Sequence, residues 1–329
     1  MSEDNPLSCW VVSDGRRGIE NQALGLAEAI SRKYKIAITR HHISNKGAFK
    51  AAPARLQFAL KSNPYDYGLP IDETPHLVIG CGRQAIAPLL ALKNKHPACF
   101  TVYLQDPHID PAKFDIVVAP EHDSLSGDNV ETTLGSLNRV TEEQIVIGLL
   151  KQRDKIKTLP MPRISMMIGG TSGTYKLSEE NHRQHLEIAT QALQQGYSLL
   201  ISASRRTPEW VIDDYHRFES DHDSVWFYDG TDENNPYFAF LGGADAICVT
   251  EDSTNMLTEA CATGKPVFRL PMKGRPGKFS NLYQALDMRC NVTAFSGTFE
   301  ALAYDPLNET NRIADHILAH IEVRGATLN

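Results

Sequence analysis

The order of apolar and polar positions predicts that strands and helices alternate along most of the chain. Short apolar runs bounded by glycine and proline predict buried strands, whereas apolar residues at i, i+3, i+4 and i+7 predict helices. The clearest helical face is formed by Ala23, Leu26, Ala27 and Ile30. Because neighbouring parallel strands need a long connection between them, this alternation predicts an α/β fold with parallel sheets.

The predicted elements fall into two groups. The predicted strands are 9–12, 36–43, 76–79, 99–104 and 115–119 in the first group, and 164–168, 198–202, 225–228, 246–249 and 267–270 in the second. The charged, proline-bearing segment 155–163 between them is typical of a linker. We therefore predict two tandem doubly wound, Rossmann-like domains that face each other across a cleft. Their bounds are 1–155 and 162–305, and the last segment, 306–329, is predicted to be a helix that packs back on the first domain.

Composition narrows the functional classes. A chain of 329 residues, 42% hydrophobic and 22% charged, has enough apolar material for about two globular domains. Its net charge of -7 disfavours a general nucleic-acid binder, which is usually basic. No signal peptide or long apolar span is recognisable, which predicts a cytoplasmic protein, soluble or peripheral on the inner membrane face. The six cysteines lack metal-site spacing and are expected to be buried thiols, although Cys81 lies in a glycine turn.

Charge is concentrated in the stretch 32–65, which contains no Asp or Glu. Interleaved with its basic residues are the apolar residues Phe49, Leu56, Phe58 and Leu60. This pattern predicts a surface for an anionic partner, either anionic lipid head groups or a phosphorylated acceptor; the alternative is a solvated helix face. Its eight Lys and Arg are Arg32, Lys33, Lys35, Arg40, Lys46, Lys50, Arg55 and Lys61.

The most informative stretch is 249–271, which predicts a strand, a polar turn, a helix and another strand. Ser253 or Thr254 is placed to cap the helix, and Gly264 is placed to end it. A helix N-terminus beside the carboxyl end of a parallel strand is a common anion-binding position in α/β proteins. Glu259 on the first turns of this helix is placed to bind a ribose.

Three more loops of the second domain predict phosphate binding. Small residues after strand 164–168 let main-chain amides approach a phosphate, unless this loop is a plain turn. Two arginines after strand 198–202 suit a diphosphate, with Arg205 preferred, unless they are ordinary surface residues. A basic glycine–proline loop follows strand 267–270 and is otherwise an exposed turn. The candidates are Gly169, Gly170, Thr171, Ser172, Gly173, Ser204, Arg205, Arg206, Arg275 and Lys278.

In the first domain, the loop after the first strand carries Asp14. A carboxylate in such a loop is placed to deprotonate the hydroxyl of an acceptor molecule as a general base, and Asp14 is the first candidate. Asp106 and His108 are its rivals, and Asp14 is otherwise an Asx-turn residue or a cap. Residues predicted to contact the acceptor are Arg16, Gly18, Asn21, Gln22 and Arg83. The sequence shows no metal-ligand pattern. We therefore expect helix N-termini and arginines to stabilise the negative charge of the leaving group.

These motifs resemble those of known enzymes. The glycine loop 168–173 and the helix with Glu259 resemble the GT-B glycosyltransferases, in particular the inverting N-acetylglucosaminyltransferase that makes the peptidoglycan lipid precursor. The pair Glu251 and Glu259 also fits a glutamate pair of other GT-B enzymes.

The whole chain resembles the elongated-mitochondria (ELM) family of plant mitochondrial-fission factors and bacterial proteins. The matching segments are WVVSDGRRGIENQALGLAEAI, IGCGR, QDP, IGGTSGTYKLS, SASRRTPEW, VTEDSTNMLTEACATGKPV and GRPGKFSNLYQAL.

The resemblance implies a GT-B-like fold and, as the leading hypothesis, a metal-independent inverting sugar transferase. A nucleotide-sugar would be its co-substrate, with no tightly bound cofactor, and a membrane-linked or envelope glycan its acceptor. The alternative is a non-catalytic scaffold that binds a membrane or a partner, as the fission role of the plant relatives implies. A weaker alternative is a sugar-nucleotide epimerase or hydrolase, which would turn over without an acceptor.

Overall fold

The computed structural model describes residues 6–45, 47–70, 73–231 and 234–327. The chain divides into two compact units, one of Met1–Arg139 with Asn308–Asn329 and one of Val140–Leu307. The predicted linker 155–163 lies inside the second unit. The reason is the helix Glu142–Lys151, which packs within that unit so closely that a Cβ at Gly148 would lie 2.8 Å from Phe238.

The strands agree closely with the apolar runs of the sequence. They are β1 (Leu7–Ser13), β2 (Ile36–His42), β3 (Leu77–Cys81), β4 (Phe100–Leu104), β5 (Ile116–Pro120), β6 (Val130–Thr133), β7 (Arg163–Ile168), β8 (Tyr175–Lys176), β9 (Ser198–Ala203), β10 (Val225–Tyr228), β11 (Ala246–Thr250), β12 (Val267–Leu270), β13 (Lys273–Gly274) and β14 (Thr293–Ala294). The sequence did not predict β6, β8, β13 and β14. These four are short and carry few apolar residues.

The helices lie between the strands as expected. They are α1 (Arg17–Ser31), α2 (Gly47–Ala51), α3 (Ala54–Leu60), α4 (Arg83–Lys95), α5 (Glu142–Lys151), α6 (Arg153–Ile156), α7 (Glu179–Gln194), α8 (Glu209–Ser220), α9 (Tyr237–Gly243), α10 (Thr254–Cys261), α11 (Phe279–Cys290) and α12 (Glu309–Thr327). Short 3-10 helices lie at Pro64–Tyr67, Pro111–Lys113 and Glu121–Asp123.

The first unit is built on a six-stranded parallel sheet of order β2-β1-β3-β4-β5-β6. One face of the sheet is covered by α1 and α12. Leu26 and Ile30 of α1 share a buried cluster with Ile79 of β3 and with Ile313 and Ile317 of α12. The last helix is therefore part of the core of the first unit.

The second unit contains another six-stranded sheet, of order β10-β9-β7-β11-β12-β14. All its pairs are parallel, and β8 and β13 form a separate antiparallel pair. In both sheets the strand order reverses beside the first strand, where β1 meets β3 and where β7 meets β11. Such switch points are where α/β proteins bind ligands, just beyond the carboxyl ends of the strands. The predicted fold class is confirmed.

All six cysteines are free and buried, including Cys81, whose burial raises the pKa of its thiol well above the ordinary value. Among the described residues no helix is long and apolar enough to cross a membrane.

Candidate functional site

Three loops meet at the carboxyl edge of the second sheet, and the Asp252 side chain, 0% exposed, joins them. Its Oδ2 accepts from Arg206 Nη2 at 2.6 Å and from the amide of Gly170 at 3.0 Å. Its Oδ1 accepts from Thr250 Oγ1 at 2.7 Å. The loops after β7, β9 and β11 are thus tied to one buried carboxylate. The sequence analysis did not single out this residue.

The tight packing around Asp252 explains two of the predicted glycines. A Cβ at Gly169 would overlap the Asp252 carboxylate, and one at Gly170 would overlap the main-chain oxygen of Arg206. The Gly169 amide also donates to Thr250 Oγ1, at 2.7 Å. These two amides are already bonded within the protein, so their predicted use as phosphate donors needs correction. They let the loops approach each other.

The rest of this glycine loop has a different environment. Ser172 closes a small turn, since its amide donates to the Tyr175 carbonyl at 2.8 Å and its Oγ accepts from the Tyr175 amide at 3.0 Å. Thr171 is exposed, and a Cβ at Gly173 would meet nothing within 4 Å. The part of the loop that is open to a ligand is therefore residues 171–173.

The charge of Asp252 is balanced by its neighbours. Burial raises the pKa of this carboxyl, while the Arg206 guanidinium, the Gly170 amide and the Thr250 hydroxyl act in the opposite direction. Arg206 thereby has a structural partner. Arg205 next to it is exposed and has no ion pair among the described contacts, which leaves its guanidinium available to an anion. Ser204 Oγ accepts from the Arg206 amide at 3.2 Å and holds this turn.

Glu251 supports the neighbouring loop. Its carboxylate accepts from Arg269 Nη1 and from the Met272 amide, each at 3.2 Å. Burial raises the pKa of Glu251, and these two donors oppose the shift. Tyr283 donates to the Glu251 carbonyl at 2.7 Å. Both carboxylate oxygens are thus occupied within the protein, a role for this half of the glutamate pair that spacing alone did not indicate.

Helix α10 begins as predicted, with Ser253 as its cap and Thr254 as its first residue. Glu259 lies on its second turn and is half-buried. Tyr237, which the sequence analysis did not single out, donates its hydroxyl to Glu259 Oε2 at 2.5 Å. Burial raises the pKa of Glu259 to about 7, against the opposing effect of the Tyr237 hydroxyl.

The basic loop after β13 is exposed, including Arg275 and Lys278. Lys278 Nζ lies 5.8 Å from the centre of the Phe279 ring. No described contact joins either residue to Asp252 or Glu259, so their predicted phosphate role stays a prediction.

The carboxyl edge of the first sheet is also lined by polar and charged side chains. A pocket of about 380 Å³ lies there. Its walls are the loop after β1, residues 42–45, Lys50 and the start of α4. The lining residues are Asp14, Arg16, His42, Ile43, Ser44, Asn45, Lys50, Arg83 and Gln84. Asp14, Arg16 and Arg83, which the sequence analysis assigned to the acceptor side, are therefore brought together with Lys50 of the basic stretch.

Asp14 and Asp106, the two carboxylates among the three candidate bases, have the same local geometry. Asp14 Oδ1 accepts from the Arg16 amide at 3.2 Å and its Oδ2 from Arg16 Nε at 2.8 Å. Asp106 Oδ1 accepts from the His108 amide at 2.7 Å, and its Oδ2 lies 3.0 Å from His108 Nδ1. Each carboxylate closes an Asx turn with the residue two positions later, the alternative that the sequence analysis left open for Asp14.

The remaining acceptor candidates lie on the first turns of α1. Gln22 is buried, donates to the Gly18 carbonyl at 3.0 Å and accepts from Gln105 at 3.5 Å. Gly18 is exposed and Asn21 is half-buried. These three residues do not line the pocket.

A histidine–carboxylate pair at the pocket was missed by the sequence analysis. His42 Nε2 lies 2.6 Å from Glu20 Oε1. Glu20 is on α1 and His42 ends the neighbouring strand β2, so only the parallel pairing of β1 and β2 brings them together. No sequence spacing could have indicated this contact.

The basic stretch is divided by the fold. Lys33 pairs with Asp315 and Arg32 bonds to Asn311, both on α12. On α3 the side chains of Leu56 and Leu60, one turn apart, are 49% and 66% exposed. Arg55 and Lys50 beside them are also exposed, whereas Lys46 lies outside the described residues. No group of three or more metal-ligating side chains occurs in the described part of the chain.

Comparison with known proteins identifies the family. The family model described as mitochondrial fission ELM1 matches residues 17–321. The chain belongs to this family. It is 27% identical over 281 residues to the mitochondrial fission protein ELM1 of Arabidopsis thaliana, a match that covers 77% of this chain and 66% of the plant protein. It is 24% identical to the uncharacterized protein RP120 of Rickettsia prowazekii, covering 94% of this chain and 98% of that one.

Solved structures show the fold. The UDP-GlcNAc 2-epimerase of Methanocaldococcus jannaschii, in complex with UDP-GlcNAc and UDP, matches with a TM-score of 0.52 and 10% identity over 95% of this chain and 100% of that one. The ADP-heptose heptosyltransferase II of E. coli matches with a TM-score of 0.50 and 10% identity over 97% and 100%. The ELM1-family chain therefore has a GT-B-like fold, which glycosyltransferases and epimerases share.

Proposed function

We propose that this protein is a glycosyltransferase that takes its sugar from a nucleotide-sugar held by the second unit. The proposal rests on the arrangement of side chains at the carboxyl edge of the second sheet. There the buried Asp252 fixes three loops, and Glu259 stands on the helix that begins beside them. A purely structural edge would not need a carboxylate with no solvent exposure, because burying a charge is costly, and Asp252 is held there by an arginine whose side chain is 36% exposed.

The donor would use the groups that remain open at this edge. Glu259 would accept hydrogen bonds from the ribose hydroxyls. The N-terminus of α10 and the side chains of Thr171, Ser204 and Arg205 would bind the phosphates, joined by Arg275 and Lys278. A diphosphate that leaves with a negative charge is stabilised by such fixed donors.

The chemistry would be a direct displacement. The acceptor oxygen forms a bond to the anomeric carbon, the bond from that carbon to the diphosphate oxygen breaks, and the diphosphate leaves with the electron pair. Asp14 would take the acceptor proton, with Asp106 or His108 as the alternative. Asp14→Asn should then keep nucleotide affinity and lose turnover, whereas retained turnover would assign the role to Asp106 or His108.

A thermal-shift titration of the full chain with UDP, GDP, ADP, CMP and their sugar conjugates tests the proposal. A ligand at 100 times its Kd adds about 2.7 kcal/mol to the stability of the folded state. Glu259→Ala should weaken binding of the active nucleotide by about 1–3 kcal/mol. Its matched control is Glu187→Ala on the exposed side of α7. No shift with any nucleotide at millimolar concentration would contradict the proposal.

A second candidate function is a non-catalytic scaffold at a membrane, and one observation favours it. Leu56 and Leu60 are exposed on one face of α3, flanked by the basic residues Lys50, Arg55 and Lys61. Apolar residues ringed by cations suit the cytoplasmic face of an anionic membrane. This surface is also compatible with a transferase that acts on a membrane-linked acceptor.

Vesicle binding separates these possibilities. Co-sedimentation with phosphatidylglycerol vesicles should exceed that with phosphatidylcholine and fall with salt. Leu60→Ser should weaken it, and Leu302→Ser, at a side chain 75% exposed in the second unit, should not. Vesicle binding without nucleotide binding would favour the scaffold, while turnover of a nucleotide-sugar without any acceptor would favour an epimerase or hydrolase.

A further inference from the structure

The pocket of the first unit holds cationic groups whose charge the protein does not neutralise. Arg16 is paired with Asp14 at 2.8 Å, and His42 contacts Glu20. Lys50 and Arg83, in contrast, have no ion pair among the described contacts. A chain with a net charge of -7 has many carboxylates, so two cations without one in the same pocket point to a negative ligand from outside.

Hydrogen bonds to the main chain place Arg83 against the segment that carries Lys50. Arg83 Nη2 donates to the carbonyl oxygens of Lys50 and Ala52, at 3.3 and 2.9 Å, and to that of Ala51. Gln84 Nε2 donates to the Lys50 carbonyl at 3.1 Å. The Arg83 guanidinium therefore sits against the end of α2, which carries Lys50. Both cationic side chains line the same pocket, and an anion bound there would offset the repulsion between their charges.

The wall of the pocket adds neutral donors. Arg83 and Gln84 are the first two residues of α4, and their amides have no partner within the helix. The cap residue Gly82 has no side chain to satisfy those amides. Asn45 Nδ2 donates to Gln84 Oε1 at 3.0 Å and so fixes the segment that carries Ser44. The N-terminus of this 13-residue helix, with two cationic side chains in the same pocket, is suited to bind a tetrahedral oxyanion.

We propose that this pocket binds a phosphate or diphosphate group, with Lys50, Arg83, Arg16 and the start of α4 as its donors. If the protein is a glycosyltransferase, this phosphate belongs to the acceptor, and that part of the inference rests on the proposed function. The binding of phosphate by the pocket does not depend on it. The exposed face of α3 directly follows α2 in the chain, so a phosphate carried by a lipid fits as well as a soluble one.

Inorganic pyrophosphate and the imidazole of His42 provide the test. Full-length protein with ¹⁵N-labelled histidine is titrated with pyrophosphate, and the His42 signals, assigned with His42→Gln, report on this pocket alone. We expect a saturable shift. Lys50→Ala should weaken the affinity roughly ten-fold, the cost of one charge-assisted hydrogen bond. Lys113→Ala removes the same charge from an exposed position of the first unit outside the pocket and should leave the affinity unchanged.

A second arm identifies the source of the phosphate. Phosphatidic acid in phosphatidylcholine vesicles should shift the His42 signals if a lipid presents the group. A Lys50-dependent shift in either arm supports the pocket and names the source. An unshifted His42 in both arms, or an equal response of Lys50→Glu, overturns the proposal. Nucleotide binding is measured on the same samples, so failure of the donor site and failure of this pocket are seen separately.

Discussion

The two six-stranded parallel sheets of this protein each reverse their strand order beside their first strand, but they differ at their carboxyl edges. In the second unit, the buried Asp252 carboxylate is bonded to Arg206, Gly170 and Thr250. In the first unit, carboxylates close local turns, and Lys50 and Arg83 face a pocket without a counter-charge. Two related parallel sheets thus carry one edge whose loops are tied to a buried carboxylate and one edge whose pocket contains two cations without an ion pair.

The two edges therefore differ in whether a residue is needed for folding or for binding. At the second edge, glycine and aspartate are required by packing, so their substitution should primarily affect folding. At the first edge, the charged residues contribute little to folding and should primarily affect binding. Stability measurements on matched variants can therefore test whether the two edges differ in this way.

The largest effect is expected for Asp252→Ala. It leaves the buried Gly170 amide and Thr250 hydroxyl without their acceptor, whereas the Arg206 side chain, 36% exposed, can be solvated. Each buried donor left unsatisfied typically costs about 1–3 kcal/mol. Hydrogen exchange of the β7 and β11 amides measures the loss, and Asp154→Ala, at a side chain 100% exposed, is the control. Equal behaviour of the two variants would contradict the proposed role of Asp252.

Glu259→Gln should change the pH dependence of stability. The pKa of Glu259 is raised to about 7 in the folded protein and is near 4.3 in an unfolded chain. The contribution of protonated Glu259 is fully present below the unfolded value and is lost as the pH rises through about 7. The variant should therefore gain stability relative to the unmodified protein between pH 4 and 7, by up to about 3 kcal/mol.

Urea unfolding at a series of pH values checks this, followed by a signal of the second unit. A difference between the two proteins that does not vary with pH would mean that Glu259 titrates normally. Nucleotide affinity, if Glu259 binds the ribose, should fall as the pH drops below about 7, because the protonated carboxyl is a poorer acceptor.

Gly170→Ala and Gly173→Ala form a matched pair within one loop. The first places a methyl group against the Arg206 main chain, whereas the second meets open space. Overpacking of this kind costs about 1–3 kcal/mol, and a substitution into open space costs about 0.5 kcal/mol or less. Thermal unfolding of both variants distinguishes a packing role from a purely ligand-binding one, for which the two would be alike.

A small effect is also expected at the first edge. Asp106→Ala removes an Asx turn whose partner His108 is largely exposed, and should cost about 1 kcal/mol or less. Urea unfolding measures it beside Asp252→Ala. A cost as large as that of Asp252→Ala would show that the first edge is also needed for folding and would end the contrast between the two edges.

The sequence predicted the parallel strands well because buried strands in an α/β fold are nearly continuous apolar runs. Strands such as 225–228 and 267–270 were predicted at their observed bounds. The short strands β6, β8, β13 and β14 were not, since their residues are stabilised by pairing with neighbours and carry little apolar signal of their own.

The site could be predicted only in part. Ser253 caps α10 through a contact with a residue close to it in sequence, so this role could be predicted from the sequence. Contacts between distant loops were not, because the links from Asp252 to Gly170 and from His42 to Glu20 depend on which strands are adjacent. Gly170 illustrates the limit of prediction from the sequence. The sequence shows that a glycine is present, and only the fold shows whether this glycine makes room for a ligand or for a neighbouring loop.

The return of α12 to the first unit has a consequence for synthesis on the ribosome. The chain leaves this unit at Arg139 and returns at Asn308, and the two points are fastened together where Thr310 Oγ1 bonds to the Asn138 amide at 3.0 Å and to its carbonyl at 3.1 Å. During translation, which proceeds from the N-terminus, the first unit must wait for Ile313 and Ile317 to complete its core. The unit whose synthesis begins second is therefore expected to finish folding first, as an insert whose ends the other unit later brings together.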